Sequence, residues 1–489
     1  MFAIALTHTA VSAAEPARPN VLFCIADDAS PTFGCYGYKW VKTPNIDRLA
    51  AKGVLFTNAY VPTAKCAPCR AAILTGRYPW LLEDAANHQN HFPAKFKAFT
   101  EALQEAGVSL GSTGKVWGPG SALTADGKPR LWGMAHTPAN KKAADRNWPG
   151  SAFKRFLASK PADTPFFYWF GSTNPHRPYK ADAGLEAGKK PSDIDRVPAF
   201  WPDNDTIRRD MLDYATEVEA YDTEVGSLLK VLEESGQAEN TLVIVTSDHG
   251  MPFPRSKGHN YHMSNHVPLI VYWPKEIVSP GRKSDAFLNH VDLAPTLLDV
   301  FGVDGGKAGM QPASGTSFLD LLRDKPVRER PYAITGRERN DVYARPGSDT
   351  GLGYPVRALR EGAYLYIHNF EPGRWPCGNP ELGYLDTDAS PTKKFAEDEG
   401  EQGTYWKFAF GKRPQEELFD ITKDPDCVKN LAAEGDQKAR VATMREKLFA
   451  LLKEQGDPRM FGKGDQFDKY PTVKPKPSKF ESGIGRSQK

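Results

Sequence analysis

Short unbroken apolar runs punctuate the chain, and the strongest of them stop abruptly at polar residues. Val21-Leu22-Phe23-Cys24-Ile25-Ala26 stops at Asp27-Asp28, and Phe166-Phe167-Tyr168-Trp169-Phe170 leads into Thr173-Asn174-Pro175-His176-Arg177. Thr241-Leu242-Val243-Ile244-Val245 leads into Thr246-Ser247-Asp248-His249-Gly250. Runs of this kind predict strands buried on both faces, as in a parallel sheet. Val54-Leu55-Phe56 and Pro268-Leu269-Ile270-Val271-Tyr272 predict two more strands. Between these runs the apolar period lengthens to that of a helix. It does so from Pro44 to Ala50, from Arg70 to Leu74 and over residues 290–301. It is clearest over 207–235, where Ile207, Met211, Leu212, Ala215, Val218, Val225, Leu228, Leu229 and Leu232 share one face and Gly236 supplies the stop. The alternation predicts an α/β fold with a mostly parallel central sheet flanked by helices.

After residue 355 the pattern changes. Arg357–Arg360 and Ala363–His368 read as antiparallel strands around Glu361-Gly362, Glu417–Asp420 as a further strand, and 434–455 as a helix. This predicts a catalytic body over 19–355, a smaller C-terminal α+β subdomain with an antiparallel sheet over 356–465, and an extended tail over 466–489 that contains Lys474-Pro475-Lys476-Pro477. Residues 1–18 carry a short apolar stretch ending in small residues, Val11-Ser12-Ala13, similar to the end of a signal peptide. The expected location is therefore periplasmic or secreted. No apolar run reaches the ~18 residues of a membrane span, so no stable membrane insertion is expected.

Composition narrows the picture little further. The net charge of +3 is too small to point to nucleic acid, so any anion site must be built from local Lys and Arg. The six cysteines do not form the dense, regular spacing of a disulfide framework. Oligomeric state is left open.

The polar residues after the apolar strands carry the chemistry, because ligands of open α/β sheets bind beyond the carboxyl ends of the strands. Asp27 and Asp28 repel each other unless a cation or hydrogen-bond donors offset the charge. With Asp248 they make an oxygen-rich set suited to a hard divalent cation; a solvated loop is the competing reading. His249 is a softer ligand than these three. Cys66-Ala67-Pro68-Cys69 reads equally as a redox or disulfide pair and as a nucleophile at a helix N-terminus, where free N–H groups and Arg70 favour an anion.

The run Cys66-Ala67-Pro68-Cys69-Arg70, followed by Leu74-Thr75-Gly76-Arg77, resembles the maturation signature of the type I, formylglycine-dependent sulfatases of the alkaline phosphatase superfamily. Ala26-Asp27-Asp28, Gly114-Lys115, Pro175-His176-Arg177 and Thr246-Ser247-Asp248-His249-Gly250 follow in that family's order. The similarity extends over residues 19–460. Asp248-His249-Gly250-Met251-Pro252-Phe253-Pro254, together with Arg357, His368-Asn369 and Glu417–Asp420, most resembles the N-sulfoglucosamine sulfohydrolase (heparan N-sulfatase) branch, while Lys115-Val116-Trp117 leans toward the iduronate sulfatases.

The resemblance implies that a formylglycine-generating or sulfatase-maturating enzyme oxidises Cys66 to an aldehyde. The hydrated aldehyde then attacks the sulfur of a sulfated, glycosaminoglycan-type saccharide. It implies that Asp27, Asp28, Asp248, His249 and the side chain of residue 66 hold Ca2+, or Mg2+ in its place. Arg70 would steady the formylglycine, Lys115 and Lys257 would bind sulfate oxygens, and His176 would protonate the leaving atom. Arg255 competes with Lys257 for its part. Arg177, His88, His91, His259, His262 and His368 are the candidate substrate-pocket residues.

Two positions depart from the family pattern. Cys69 stands where serine is common, and Trp117-Gly118 stand where a histidine usually follows the lysine. His88 and His91, or His259, His262 and His266, are the candidates to replace that histidine. The last three also match zinc spacing on a helix, with pocket lining or a polar loop as the other reading.

Three other functions compete: a phosphodiesterase or phosphonate monoester hydrolase of the same superfamily, a non-catalytic sulfated-sugar-binding relative, and a thiol–disulfide protein using Cys66 and Cys69. Peptide mass spectrometry separates the last. Conversion to formylglycine lowers the mass of the Cys66 peptide by ~18 Da. A Cys66–Cys69 disulfide in active protein would defeat the formylglycine reading.

Overall fold

The computed structural model describes residues 18–137, 148–326 and 330–476. The signal-like segment lies outside the described residues except for Arg18, as does the tail beyond Lys476.

Among the described residues, twelve strands build the two larger sheets. The large sheet holds β1 (Asn20–Ala26), β2 (Val54–Tyr60), β3 (Ser109–Gly114), β4 (Ala135–Thr137), β5 (Phe166–Gly171), β6 (Thr241–Ser247), β7 (Leu269–Tyr272) and β8 (Arg282–Asn289), in the order β8-β2-β7-β6-β1-β5-β3-β4. All its pairings are parallel except those of β7, which runs against both β2 and β6. The small antiparallel sheet runs β9 (Tyr332–Arg337), β10 (Val356–Glu361), β11 (Tyr364–Asn369) and β12 (Glu416–Asp420). The expected α/β architecture with a separate antiparallel sheet is therefore present.

The unbroken apolar runs follow from burial on both faces. Val21, Phe23 and Ile25 of β1 pack toward Ile73 and Leu74 of α2 (Cys66–Thr75) and Leu297 of α6 (Leu293–Phe301). Leu22, Cys24 and Ala26 face Ile46 and Leu49 of α1 (Pro44–Lys52) and the long α5 (Asp205–Glu234). Two further helices, α3 (Phe99–Glu105) and α4 (Trp148–Ser159), complete these layers. The apolar stripe read over 207–235 is the buried face of α5, which Asn204 caps by accepting from the Ile207 N–H at 3.1 Å.

Among the expected elements, β2 extends to Tyr60 and the 290–301 helix begins with a tight turn before Leu293. The sequence reading missed β3, the three-residue β4, β8 and β9. In β3 and β9 short Gly- and Ser/Thr-containing segments blur the apolar run, and β8 is an edge strand with polar outward positions. Because β9 pairs with β10, the small sheet begins before residue 356, inside the stretch assigned to the catalytic body. The tail also departs from a wholly extended form: Gln466–Lys469 make one helical turn with Phe467 buried. Among the described residues, no helix is long and apolar enough to cross a membrane.

The small sheet packs one face on α7 (Lys438–Gln455), with Ile334, Leu359, Tyr366 and Leu418 against Val441, Met444, Leu448 and Leu452. Arg357 of β10 is fully buried beneath Trp80. Its Nε donates to Asp457 Oδ2 at 2.7 Å and its Nη2 to Glu338 Oε1 at 2.7 Å. Removing one partner of a buried ion pair strands the other charge. Arg357→Ala is expected to lower stability in a urea titration by about 3–5 kcal/mol. A loss in the ~0–1 kcal/mol range of an exposed pair would contradict this account.

Candidate active site

Strand register creates the site. Ala26 lies opposite Ser247, Ile25 opposite Gly171, and Gly114 opposite Gly171, so β1, β3, β5 and β6 end level. The residues that follow them enter one space: Asp27 and Asp28, Lys115, His176, and Asp248 with His249. Gly171 permits the approach, since a Cβ there would lie 1.7 Å from the Lys115 carbonyl oxygen. Asp28 adopts a left-handed conformation, φ 78°, which costs on the order of 1 kcal/mol and must be held by its surroundings.

Cys66 is the first residue of α2, and its neighbours place it at the floor of this space. Gly76 ends the helix in a left-handed turn, its N–H donating to the Ala72 carbonyl at 2.8 Å, which accounts for the glycine of the Leu74–Arg77 run. All six cysteines, Cys66 and Cys69 among them, are free.

Cations interleave the acids. Fully buried Arg70 donates from Nε to Asp248 Oδ2 at 2.8 Å and from Nη1 to the Lys115 carbonyl at 2.6 Å, while its Nη2 lies 3.5 Å from Asp27 Oδ1. Lys115 Nζ donates to both Asp27 oxygens at 2.8 Å. Lys257 Nζ lies 2.7 Å from Asp28 Oδ2 and 2.9 Å from Asp388 Oδ2. His176 stands at the rim, 30% exposed. Its Nδ1–H donates to the Arg177 carbonyl at 2.6 Å, and its Nε2 is 3.9 Å from Asp28 Oδ2.

Burial opposes every one of these charges, and its balance against the local partners decides each outcome. It raises Asp27, but Lys115 and Arg70 outweigh it and hold that carboxyl well below the usual range. In Asp248 burial wins over Arg70 and His249, pushing the carboxyl up to about 6. Burial also raises the Cys66 thiol, yet the Lys115 ammonium holds it well below its ordinary value.

His249 tests whether a cation fits. Its Nδ1 lies 3.0 Å from the Gly250 carbonyl, which can only accept, so Nδ1 carries the hydrogen. The Nε2 lone pair then faces Asp28 Oδ1 at 3.1 Å, outside hydrogen-bond geometry, with Asp248 Oδ1 at 3.7 Å, and neither Nε2 nor Asp28 Oδ1 makes a hydrogen bond. Two facing acceptors need a proton or a cation between them. Without a cation the proton is held tightly: burial would lower His249, but Asp248 and Asp28 push it up to about 9. The ligand atoms of Asp28, Cys66 and His249 lie within 4.8 Å of one another, as do those of Asp27, Cys66 and Asp248. Carboxylate oxygens with one carbonyl-anchored imidazole fit a hard divalent cation such as Ca2+ or Mg2+.

His88 joins the cluster from the loop after Ala86. Its Nε2 is 4.0 Å from Cys66 Sγ, and its Nδ1 is 3.1 Å from Asp341 Oδ1. The other candidate pocket residues go elsewhere. Arg177 stacks between Tyr179 and Phe253 and donates to Asp210 and to the Pro252 carbonyl. His91 is exposed on a two-residue strand pairing with Ser121. His259 is buried with Nε2 3.2 Å from Cys377 Sγ. His262 stacks on His266 at 4.6 Å, and His266 Nε2–H donates to the Thr57 carbonyl at 2.8 Å; among the described residues neither belongs to a group of three ligand side chains close enough to share a metal ion. His368 lies on β11 between Phe370 and Phe449. Arg255, the competitor of Lys257, stacks on Tyr261 and donates to the Phe408 carbonyl.

Three contributors escaped the sequence reading. Asp341 holds His88 and, through Oδ2, Lys65 Nζ at 2.6 Å; Asp388 holds Lys257. Asp341 belongs to the charged run Arg337–Asp341, Lys65 is a lone charge just before Cys66, and Asp388 follows β11 in a long connection without periodicity.

The profile of a protein family described as Sulfatase matches residues 19–303. An ulvan-active sulfatase of Formosa agariphila is 29% identical over 91% of this chain and 82% of its own length. The human N-sulphoglucosamine sulphohydrolase is 26% identical over 90% of this chain and 91% of its own length. Among solved structures, a Bacteroides thetaiotaomicron protein, from work described as the metabolism of multiple glycosaminoglycans by that bacterium, superposes with a TM-score of 0.70. It is 18% identical, and the match covers 93% of this chain and all of that one.

The Lys257–Asp388 pair gives a pH signature. Burial would raise the Asp388 carboxyl, but Lys257 and Lys65 hold it down at about 2. The unfolded value is roughly 4, so the pair's contribution is complete above that pH and is lost as pH falls through about 2. The stability deficit of Asp388→Asn, measured by urea unfolding, is expected to shrink over that interval. A deficit independent of pH there would show that the pair contributes nothing.

Proposed function

The chain belongs to the sulfatase family and is a sulfuric ester hydrolase or sulfamidase, and from that premise we propose that it removes sulfate from glycosaminoglycan-type or related sulfated saccharides. The observation that carries this reading is the placement of Cys66 at the start of α2, walled by Asp27, Asp28, Asp248 and His249 and interleaved with Arg70, Lys115 and Lys257. The relatives named for ulvan and for N-sulphoglucosamine support a saccharide as substrate.

In this reading Cys66 is the precursor of formylglycine, made by a separate maturating enzyme that supplies the oxidant. Asp27, Asp28, Asp248 and His249 would hold the divalent cation, which when bound supplies positive charge against the nucleophile and a sulfate oxygen. Lys115 and Lys257 present ammonium groups to the remaining sulfate oxygens, where preorganised charge favours the transition state over the ground state. Arg70 keeps Asp27 and Asp248 aimed inward. His176, alone among these groups in being well exposed at the rim, delivers a proton to the departing oxygen or nitrogen. Export to the periplasm or beyond follows from the signal-like start.

The test is sulfate release by matured protein from defined N-sulfated and O-sulfated heparin, chondroitin and ulvan oligosaccharides, with an aryl phosphodiester as the contrasting substrate. Release from at least one saccharide is expected. Lys115→Ala and Lys257→Ala should each lower kcat/KM by ~10²–10³. A phosphodiester turned over faster than every sulfated saccharide would overturn the proposal.

A further inference from the structure

We propose that His88, oriented by Asp341, is the catalytic residue that takes the proton from the hydrated side chain of residue 66 and thereby releases sulfate. This rests on the reading that residue 66 is formylglycine in the mature protein.

Orientation supports it. Asp341 is shared, with Oδ2 bound to Lys65 Nζ at 2.6 Å and Oδ1 3.1 Å from His88 Nδ1. A carboxylate only accepts, so Nδ1 carries the hydrogen and Nε2 turns its lone pair to the side chain of residue 66, 4.0 Å from Sγ. The order carboxylate, imidazole, nucleophile is that of a base aimed by a third group.

The loop is also held firmly. The His88 N–H donates to the Arg339 carbonyl at 3.0 Å. Asn87 Oδ1 accepts from the Arg339 N–H at 3.0 Å, and Asn87 Nδ2 donates to the Phe467 carbonyl at 2.8 Å. Asn90 Oδ1 accepts from Arg339 Nη2 at 2.7 Å, and the Asp341 N–H donates to Asp386 Oδ1 at 2.7 Å. The two segments therefore fix each other on both sides of the imidazole.

The end of β3 offers no substitute base. Trp117 lies two residues after Lys115, its Nε1 donating to the Ala67 carbonyl at 2.8 Å and its ring edge-on to Phe92. An indole N–H has no lone pair with which to accept a proton.

The chemistry balances without an oxidant. First, one hydroxyl oxygen of residue 66 bonds to sulfur as the bond from sulfur to the leaving oxygen or nitrogen breaks, and that atom takes a proton. Next, His88 Nε2 takes the proton of the second hydroxyl. The freed pair forms the aldehyde C=O, and the bond from carbon to the sulfate oxygen breaks with its pair. Water then adds to the aldehyde, and His88 passes its proton to solvent.

Matured wild type, His88→Gln and Asp341→Asn are compared with 4-nitrophenyl sulfate and an N-sulfated heparin oligosaccharide as probes. Conversion of residue 66 is quantified first and is expected to be equal in all three. Steady-state turnover should fall by ~10²–10⁴ in His88→Gln, while about one equivalent of desulfated product still forms at a near-wild-type rate. The residue 66 peptide, quenched in acid, should then carry one retained SO3 by mass spectrometry. Asp341→Asn should show the same retention at a smaller loss of rate. Wild-type turnover in matured His88→Gln, or equal losses of first and later turnovers without retained SO3, would overturn the proposal. If matured wild type neither turns over these probes nor any saccharide of the panel, the sulfatase reading itself falls, a result distinct from failure confined to the variants.

Discussion

Three carboxylates buried at the ends of adjacent strands impose a constraint that the rest of the site exists to meet. Asp27, Asp28 and Asp248 are each at most 2% exposed. Gathering such charges away from water costs several kcal/mol per ion unless charge and hydrogen bonds return in full. Arg70, Lys115 and Lys257 return part of it, one cation from a helix, one from a strand end and one from a loop. The part they do not return is visible where His249 Nε2 and Asp28 Oδ1 face each other without a hydrogen bond. A divalent cation at that point would offset the remaining repulsion.

Charge balance also explains why the second sheet belongs to the site. Leaving β9, the chain passes through Glu338, Arg339, Asn340 and Asp341 before it reaches β10. Glu338 ties back to Arg357 and Arg459, and Asp341 reaches forward to Lys65 and His88. Asp388, from the connection between β11 and β12, closes on Lys257. The smaller sheet thus supplies the anions that hold the outer cations and the imidazole in place, while the larger sheet supplies the metal-type ligands.

Much of the centre was legible because its chemistry sits at the ends of unmistakable strands. Asp27-Asp28, His176 and Asp248-His249 follow apolar runs whose burial on both faces leaves little doubt about their nature, and α2 carries Cys66 and Arg70 one turn apart. Lys257, assigned through the family resemblance, lies 2.7 Å from Asp28 Oδ2. The histidines were less legible. His88, His91, His259, His262 and His368 look alike as letters, but only His88 meets Cys66. The others fill cores or the surface, because nothing local to an imidazole declares which of many packing contacts it will make.

What the sequence by itself determined is the set of elements and the residues that close them, since periodicity and chain punctuation are local properties. The parallel sheet, the long α5 and the polar ends of β1, β5 and β6 all follow from it. What only the tertiary structure decided is which distant side chains share a charge. Asp341 lies 275 positions after Cys66, in a stretch whose letters read as solvated, and Asp388 lies still farther along. Their partners are chosen by the register of one sheet against another, and register is a property of the assembled fold.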